Sequence, residues 1–139
     1  MKSLIPPASI AVLMLCTTWG VAADERARLA VAGDVDFLNI GQNGYCGART
    51  TINSPTSKAI SFAADRRTWF RVKSTMRVPV ATYTCAGEFS FLPKSGSTYL
   101  ARFSFNGDQC TLEFFRAVPG TDPVREHLIE EDPQVCFVQ

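Results

Sequence analysis

The stretch Tyr83–Phe115, YTCAGEFSFLPKSGSTYLARFSFNGDQCTLEFF, decides the fold. Successive side chains of a strand point to opposite faces, so Tyr83, Cys85, Gly87, Phe89 and Phe91 share one face and Thr84, Ala86, Glu88 and Ser90 the other. The first set is a core face. A turn at Pro93-Lys94-Ser95-Gly96 leads into a second run, with Tyr99, Ala101, Phe103 and Phe105 on one side and Arg102 and Ser104 on the other. Asn106-Gly107 is the strongest hairpin signal in the chain, because the tightest turns need positive backbone angles that these two residues tolerate. A turn centred there sets Phe105 opposite Asp108, Phe103 opposite Cys110, Ala101 opposite Leu112 and Tyr99 opposite Phe114. Cys110 is then expected to point into the core.

Outward from this hairpin the pattern stays short and punctuated. Gly, Pro and Asn recur at the spacing of short strands, and helical periodicity is weak throughout. Strands are predicted near Ala27–Ala32, Val35–Ile40, Arg49–Asn53, Lys58–Phe62, Thr68–Lys73 and, at the far end, Val135–Val138. Pro123–Glu131, preceded by Asp122, has the start of a helix but ends on Glu130-Glu131, which a helix C-terminus disfavours; the same segment reads equally as an edge strand. The expected fold is all-β, an antiparallel β-sandwich of about seven to eight short strands stapled by disulfides.

The first residues read as an address. Met1-Lys2-Ser3 is a short positive start, and Leu4–Cys16 is uncharged and mostly apolar. Pro6-Pro7, Thr17-Thr18 and Gly20 make a poor membrane span, while Val21-Ala22-Ala23 offers the small residues of a cleavage site. A signal peptide cleaved after Ala23 is predicted, with export to the bacterial periplasm or envelope. Lipidation at Cys16 is the lesser alternative, since Leu15 stands where a lipoprotein signal needs a small residue. Removing 23 of the 139 residues leaves 116, a length for one domain spanning residues 24–139. With Lys2 gone, 13 basic residues balance 13 acidic ones, so overall charge gives no reason to expect nucleic acid as a partner.

The remaining cysteines, Cys46, Cys85, Cys110 and Cys136, are even in number in a chain routed out of the cytosol, which predicts two disulfides. Zinc is not expected, because no pair is spaced C-x-x-C and the single histidine, His127, is distant. Of three connectivities, Cys46–Cys85 with Cys110–Cys136 is preferred, since the second bond would pin Val135–Val138 to the sheet that holds Cys110.

Between Cys85 and Cys110, the run Phe89-Ser90-Phe91-Leu92-Pro93, Gly96, Tyr99 and a cysteine across a tight hairpin resembles small bacterial periplasmic proteins with a transthyretin-like or carboxypeptidase-regulatory-like β-sandwich. The resemblance implies that Pro93, Gly96 and Tyr99 close a turn and start a core strand. It implies a fold and an accessory role more than a function.

Catalytic and cofactor chemistry is sparse. His127 sits in Arg125-Glu126-His127-Leu128 without an adjacent serine or cysteine motif, and Glu126, Glu130, Glu131 and Asp132 read as a solvated acidic face. Gly41–Gly47 fits a G-x-x-G-x-x-G spacing only superficially, since no helix follows to hold a phosphate; it reads as a turn at Asn43-Gly44, and no nucleotide or other cofactor is expected.

Charge is the informative feature. Arg49, Lys58, Arg66, Arg67, Arg71, Lys73 and Arg77 face a single acid, Asp65, between positions 49 and 77, whereas seven acids outnumber Arg116 and Arg125 between 105 and 139. The two segments either pair with each other or leave an anion-facing patch. Within the basic one, Phe70 and Val72 alternate with Trp69, Arg71 and Lys73, so that an outward tryptophan lies among cations with Arg67 beside it. Such a row is suited to another protein or an anionic envelope component. The expectation is a non-catalytic exported binding or accessory protein, an inhibitor or immunity-type factor for an envelope hydrolase, with a structural lipoprotein anchored through Cys16 as the alternative.

Overall fold

A computed structural model describes residues 26–132 and 135–137. The expected signal segment, its cleavage site after Ala23, Cys16 and Val138 lie outside the described residues. Among the described residues ten strands form: β1 (Arg26–Gly33), β2 (Phe37–Gly41), β3 (Thr50–Asn53), β4 (Ile60–Ala63), β5 (Thr68–Val78), β6 (Ala81–Phe91), β7 (Thr98–Asn106), β8 (Gln109–Arg116), β9 (Val124–Arg125) and β10 (Ile129–Glu130). They make two five-stranded sheets, ordered β4-β1-β7-β8-β9 and β10-β6-β5-β2-β3. The fold is the expected disulfide-stapled, sandwich-like all-β fold. Eight of the strands span four residues or more; the other two, β9 and β10, divide the segment 123–131 as short edge strands rather than a helix.

The period-2 reading holds along the central strands. Ala27, Leu29 and Val31 of β1 face inward with Tyr99, Ala101 and Phe103 of β7 and Phe114 of β8. Leu38 and Ile40 of β2, Phe70 and Val72 of β5 and Phe91 of β6 meet them from the second sheet. Phe91 is the hub. Its ring lies 4.9 Å from Phe114, 5.0 Å from Tyr99, 6.0 Å from Phe62 and 6.1 Å from Phe70, each at a steep interplanar angle that sets a ring edge against a face.

The turn after β6 is built as its residues imply. Pro93 is buried and accepts from the Asp65 amide, Gly96 takes a positive φ of 70°, and the buried Tyr99 hydroxyl accepts from the Lys94 amide at 2.9 Å. A side chain at Gly96 would carry strain that glycine avoids.

Five expectations are corrected. The β7–β8 register pairs Phe105 with Cys110, Phe103 with Leu112, Ala101 with Phe114 and Tyr99 with Arg116, because the turn is Gly107-Asp108 and not Asn106-Gly107. The slip is two residues, so every side chain keeps its face. Cys110 accordingly shares the inward side of β8 with Leu112 and Phe114, but it lies at the sandwich margin and is exposed.

The disulfides are Cys46–Cys136 and Cys85–Cys110, with Cα atoms 5.4 and 6.3 Å apart. Cys85 and Cys110 lie on different sheets, so their bond spans the sandwich, and Cys136 is drawn to the loop after β2 instead of to β8. Residues 135–137 form no strand; Cys136 bonds the segment to the β2–β3 loop. Finally, β1 runs parallel to β7, a pairing that the hairpin-by-hairpin reading did not anticipate. Parallel neighbours need a long crossover, and here β2 through β6 provide it.

Truncating the hub in Phe91→Ala is expected to destabilise the protein by about 3–5 kcal/mol in urea unfolding, whereas the adjacent, 62% exposed Leu92→Ala should stay within about 0.5 kcal/mol. Equal effects would show that Phe91 is not the centre of the packing. Peptides mapped without reduction should link Cys46 to Cys136 and Cys85 to Cys110; a Cys46–Cys85 peptide would contradict the cross-sheet bond.

Candidate functional site

Strand β5 carries the predicted row. Trp69, Arg71 and Lys73 alternate with the buried Phe70 and Val72, which turns all three to the outer face of the second sheet. Their neighbours follow from register: Ser90, Glu88 and Ala86 on β6, and Gly41, Asn39 and Phe37 on β2. Arg67, at the entry to β5, reaches over the same face.

The row is not a bare cationic surface. Glu88, its side chain only 10% exposed, takes an ion pair from Arg71 and a second from Arg49 at 3.5 Å. Arg49 also donates to the Tyr45 carbonyl, with its guanidinium 5.1 Å from the Tyr45 ring centre. At the other end, Arg67 donates to the Ser90 hydroxyl at 2.8 Å and pairs with Glu131 at 3.5 Å, while Ser90 donates to the same carboxylate. The Arg67 guanidinium sits 5.8 Å from the Trp69 ring centre. Trp69 is therefore half-buried beneath Arg67 rather than open, and Arg71 is neutralised. Lys73 has no ion-pair partner among the described residues.

The Cys46–Cys136 bond ties the β2–β3 loop to the C-terminal segment at this face. Together they line a recess of about 220 Å³ with Asn39, Tyr45, Arg49 and Arg71. The buried Asn39 Oδ1 has no hydrogen-bond partner among the described residues. Within the loop, Gly44 takes a φ of 82° and its carbonyl accepts from the Gly47 amide, so the hydrogen-bonded turn is centred on Tyr45-Cys46 and not on the expected Asn43-Gly44.

Glu88 and Tyr45 were not singled out from the sequence as site residues, and Arg49 and Glu131 entered only as members of the basic segment and of an acidic face expected to be solvated. Glu88 was legible as the acid opposite Arg71, had the β5–β6 turn been located. The other three arrive from remote segments. Among the described residues, Arg67 alone of the basic segment pairs with an acid of the C-terminal segment, and Arg49 and Arg71 share Glu88.

His127 is exposed and lines a shallow recess with Phe89, Leu112, Phe114, Glu126 and Glu130. A larger groove of about 460 Å³ opens between β3 and β4, floored by Ile40, Ile52, Ile60 and Phe62, with Gln42 and Arg66 among its polar lining. No helix among the described residues is long and apolar enough to cross a membrane. No protein-family model matches the chain, and neither a curated protein nor a solved structure matches it.

Burial opposes the Glu88 charge, but hydrogen bonds from Tyr45 and Arg71 and the charges of Arg71 and Arg49 outweigh it, holding the carboxyl below its ordinary value of 4.5. A native pKa below the unfolded one stabilises the fold at neutral pH, and that contribution is lost as pH falls below 4.5 and through the native value. Glu88→Gln should lower stability at neutral pH by about 1–3 kcal/mol, leaving Arg49 unpaired. It should also flatten the fall in Tm on acidification, so that wild type and variant converge; parallel melting curves across acid pH would refute the assignment.

Proposed function

We propose that this chain is an exported, non-catalytic binding protein of the bacterial envelope that acts as an inhibitor or immunity-type factor for a cell-envelope hydrolase. The observation that carries this reading is the row Arg67, Trp69, Arg71 and Lys73, on and at the entry to a central strand, with Arg71 held by Glu88 and Arg67 held by Ser90 and Glu131. Side chains fixed before a partner arrives lose little freedom on binding, which favours tight association. Tryptophan and arginine are also the residues on which interface energy concentrates. Two disulfides suit an oxidising compartment, in agreement with the expected signal segment.

The partner in this reading is a protein, and Trp69 on the outer face of the second sheet is an anchor of the contact. The protein starting at Asp24 should be titrated into a digestion of peptidoglycan sacculi by an envelope extract from the encoding organism with the gene deleted. Digestion is expected to slow at least about ten-fold and to saturate at a one-to-one ratio with the hydrolase. Trp69→Ala should weaken the effect by about 30-fold, the equivalent of roughly 2 kcal/mol for an interface anchor. Unchanged digestion at stoichiometric excess would overturn the reading.

A further inference from the structure

Strands β5 and β6 pair over eleven rungs, from Thr68 with Phe91 to Val78 with Ala81. Their neighbours cover only the inner part: β2 pairs with β5 from Trp69 to Lys73, and β10 pairs with β6 at Phe89 and Ser90. Ser74–Val78 and Ala81–Cys85 therefore continue as a ribbon with no strand on either edge among the described residues. Its five outer rungs extend about 15 Å at the rise of an extended chain.

The ribbon is two-faced. Met76, Val78, Ala81 and Tyr83 continue the inward, apolar side of the two strands past the end of the core, while Thr75, Arg77, Thr82 and Thr84 continue the outer side beyond Lys73. At the tip, Pro79-Val80 turns the chain with Val80 93% exposed and Val78 37% exposed. Between Arg66 and Gly87 there are five cations and no acid. Arg67 and Arg71 are paired, but Lys73, just before the projecting part, and Arg77, on it, have no ion-pair partner among the described residues.

A two-stranded ribbon is marginal by itself in water. This one is fixed at its root, where Cys85, on the rung with Ser74, is bonded to Cys110 of the opposite sheet. We infer that the outer β5–β6 ribbon is an inserting arm for the cleft of a glycan-cleaving hydrolase, a groove whose carboxylate pair meets Arg77 and whose apolar floor meets Val78, Val80 and the Met76–Tyr83 face.

The choice of partner follows from charge. Glycosidases work with two carboxylates flanking the bond they cut, so their clefts are anionic where a cationic arm would enter. A metal-dependent amidase presents a cation, and an acyl-transfer site presents donors arranged for an oxyanion; both disfavour an arginine at the same depth. The inference rests on the inhibitor reading and gives it a contact element and a target class.

The double variant Arg77→Glu/Val80→Glu tests it, with Arg102→Glu on the other sheet as a charge control and melting curves showing that both remain folded. The same sacculus digestion is read two ways, as new reducing sugar ends and as peptide release, and phosphatidylglycerol vesicles are offered separately. Wild type should suppress reducing ends and spare peptide release, the tip variant should lose at least about 100-fold in potency, and Arg102→Glu should inhibit as wild type does. A tip variant as potent as wild type removes the arm while leaving the inhibitor reading intact. Suppression of peptide release instead of reducing ends overturns the carboxylate cleft. Vesicle binding that depends on Arg77, without any effect on digestion, overturns arm and inhibitor together.

Discussion

The packing of Phe91 against Phe114 and Tyr99 is the contact on which the rest of the structure depends. Phe91 comes from one sheet and its two nearest rings from the other, and Tyr99 and Phe114 stack on each other at 5.4 Å. Burying such a cluster fixes the inward face of β6, β7 and β8, and period 2 then assigns every other side chain on those strands. The outward position of Glu88 and Ser90, and so the network that holds Arg71 and Arg67, is a consequence of where Phe89 and Phe91 must go. The turn between β6 and β7 serves the same end, with the Tyr99 hydroxyl hydrogen-bonded to the backbone of that turn.

A core built from so short a chain leaves the margins weak, and the two disulfides lie at margins. Cys85–Cys110 joins the sheets at the edge of the core, at the root of the ribbon, and Cys46–Cys136 ties the β2–β3 loop and the C-terminal segment together at the outer face. Such bonds act mainly by restricting the unfolded chain, each by about 2–4 kcal/mol. Their placement also orders segments that the core does not reach. Neither bond replaces packing; each extends order outward from it.

What was legible in the sequence follows the same division. Alternation identified β5 through β8 and their inner faces, because a residue's face depends on its own neighbours. The two-residue slip at the β7–β8 turn left those faces untouched, since period 2 is blind to even shifts. Connectivity was different. The Cys85–Cys110 bond follows only once β6 and β8 are known to lie on opposite sheets, and the parallel β1–β7 pairing spans the five intervening strands β2 through β6. The site shows the same limit: Trp69, Arg71 and Lys73 were placed on one face from their spacing, but Arg49, Tyr45 and Glu131 come from segments whose approach no local pattern records. The strand reading also stopped at Lys73 and resumed at Tyr83, because Pro79 breaks a run; the alternation of Met76 and Val78 with Thr75 and Arg77 continued through the gap.

The charge distribution brings these strands together. Had the basic and acidic segments simply paired, the asymmetry would have vanished into the fold; instead Glu88, from neither segment, takes two of the arginines and Glu131 takes a third. These pairings differ in solvation. Glu88 and Arg49 are nearly enclosed, where removing either partner strands a buried charge, whereas Arg67 and Arg71 keep much of their side chains in water, where pairing contributes little stability. Stability does not account for the cations further along the strand at all. Lys73 and Arg77 lie toward or on a ribbon that the core does not cover, beside apolar side chains that solvent does not favour. Unpaired charge next to exposed apolar surface is a poor way to hold a fold and an effective way to meet a complementary one, because the charge steers the encounter and the apolar area sustains it.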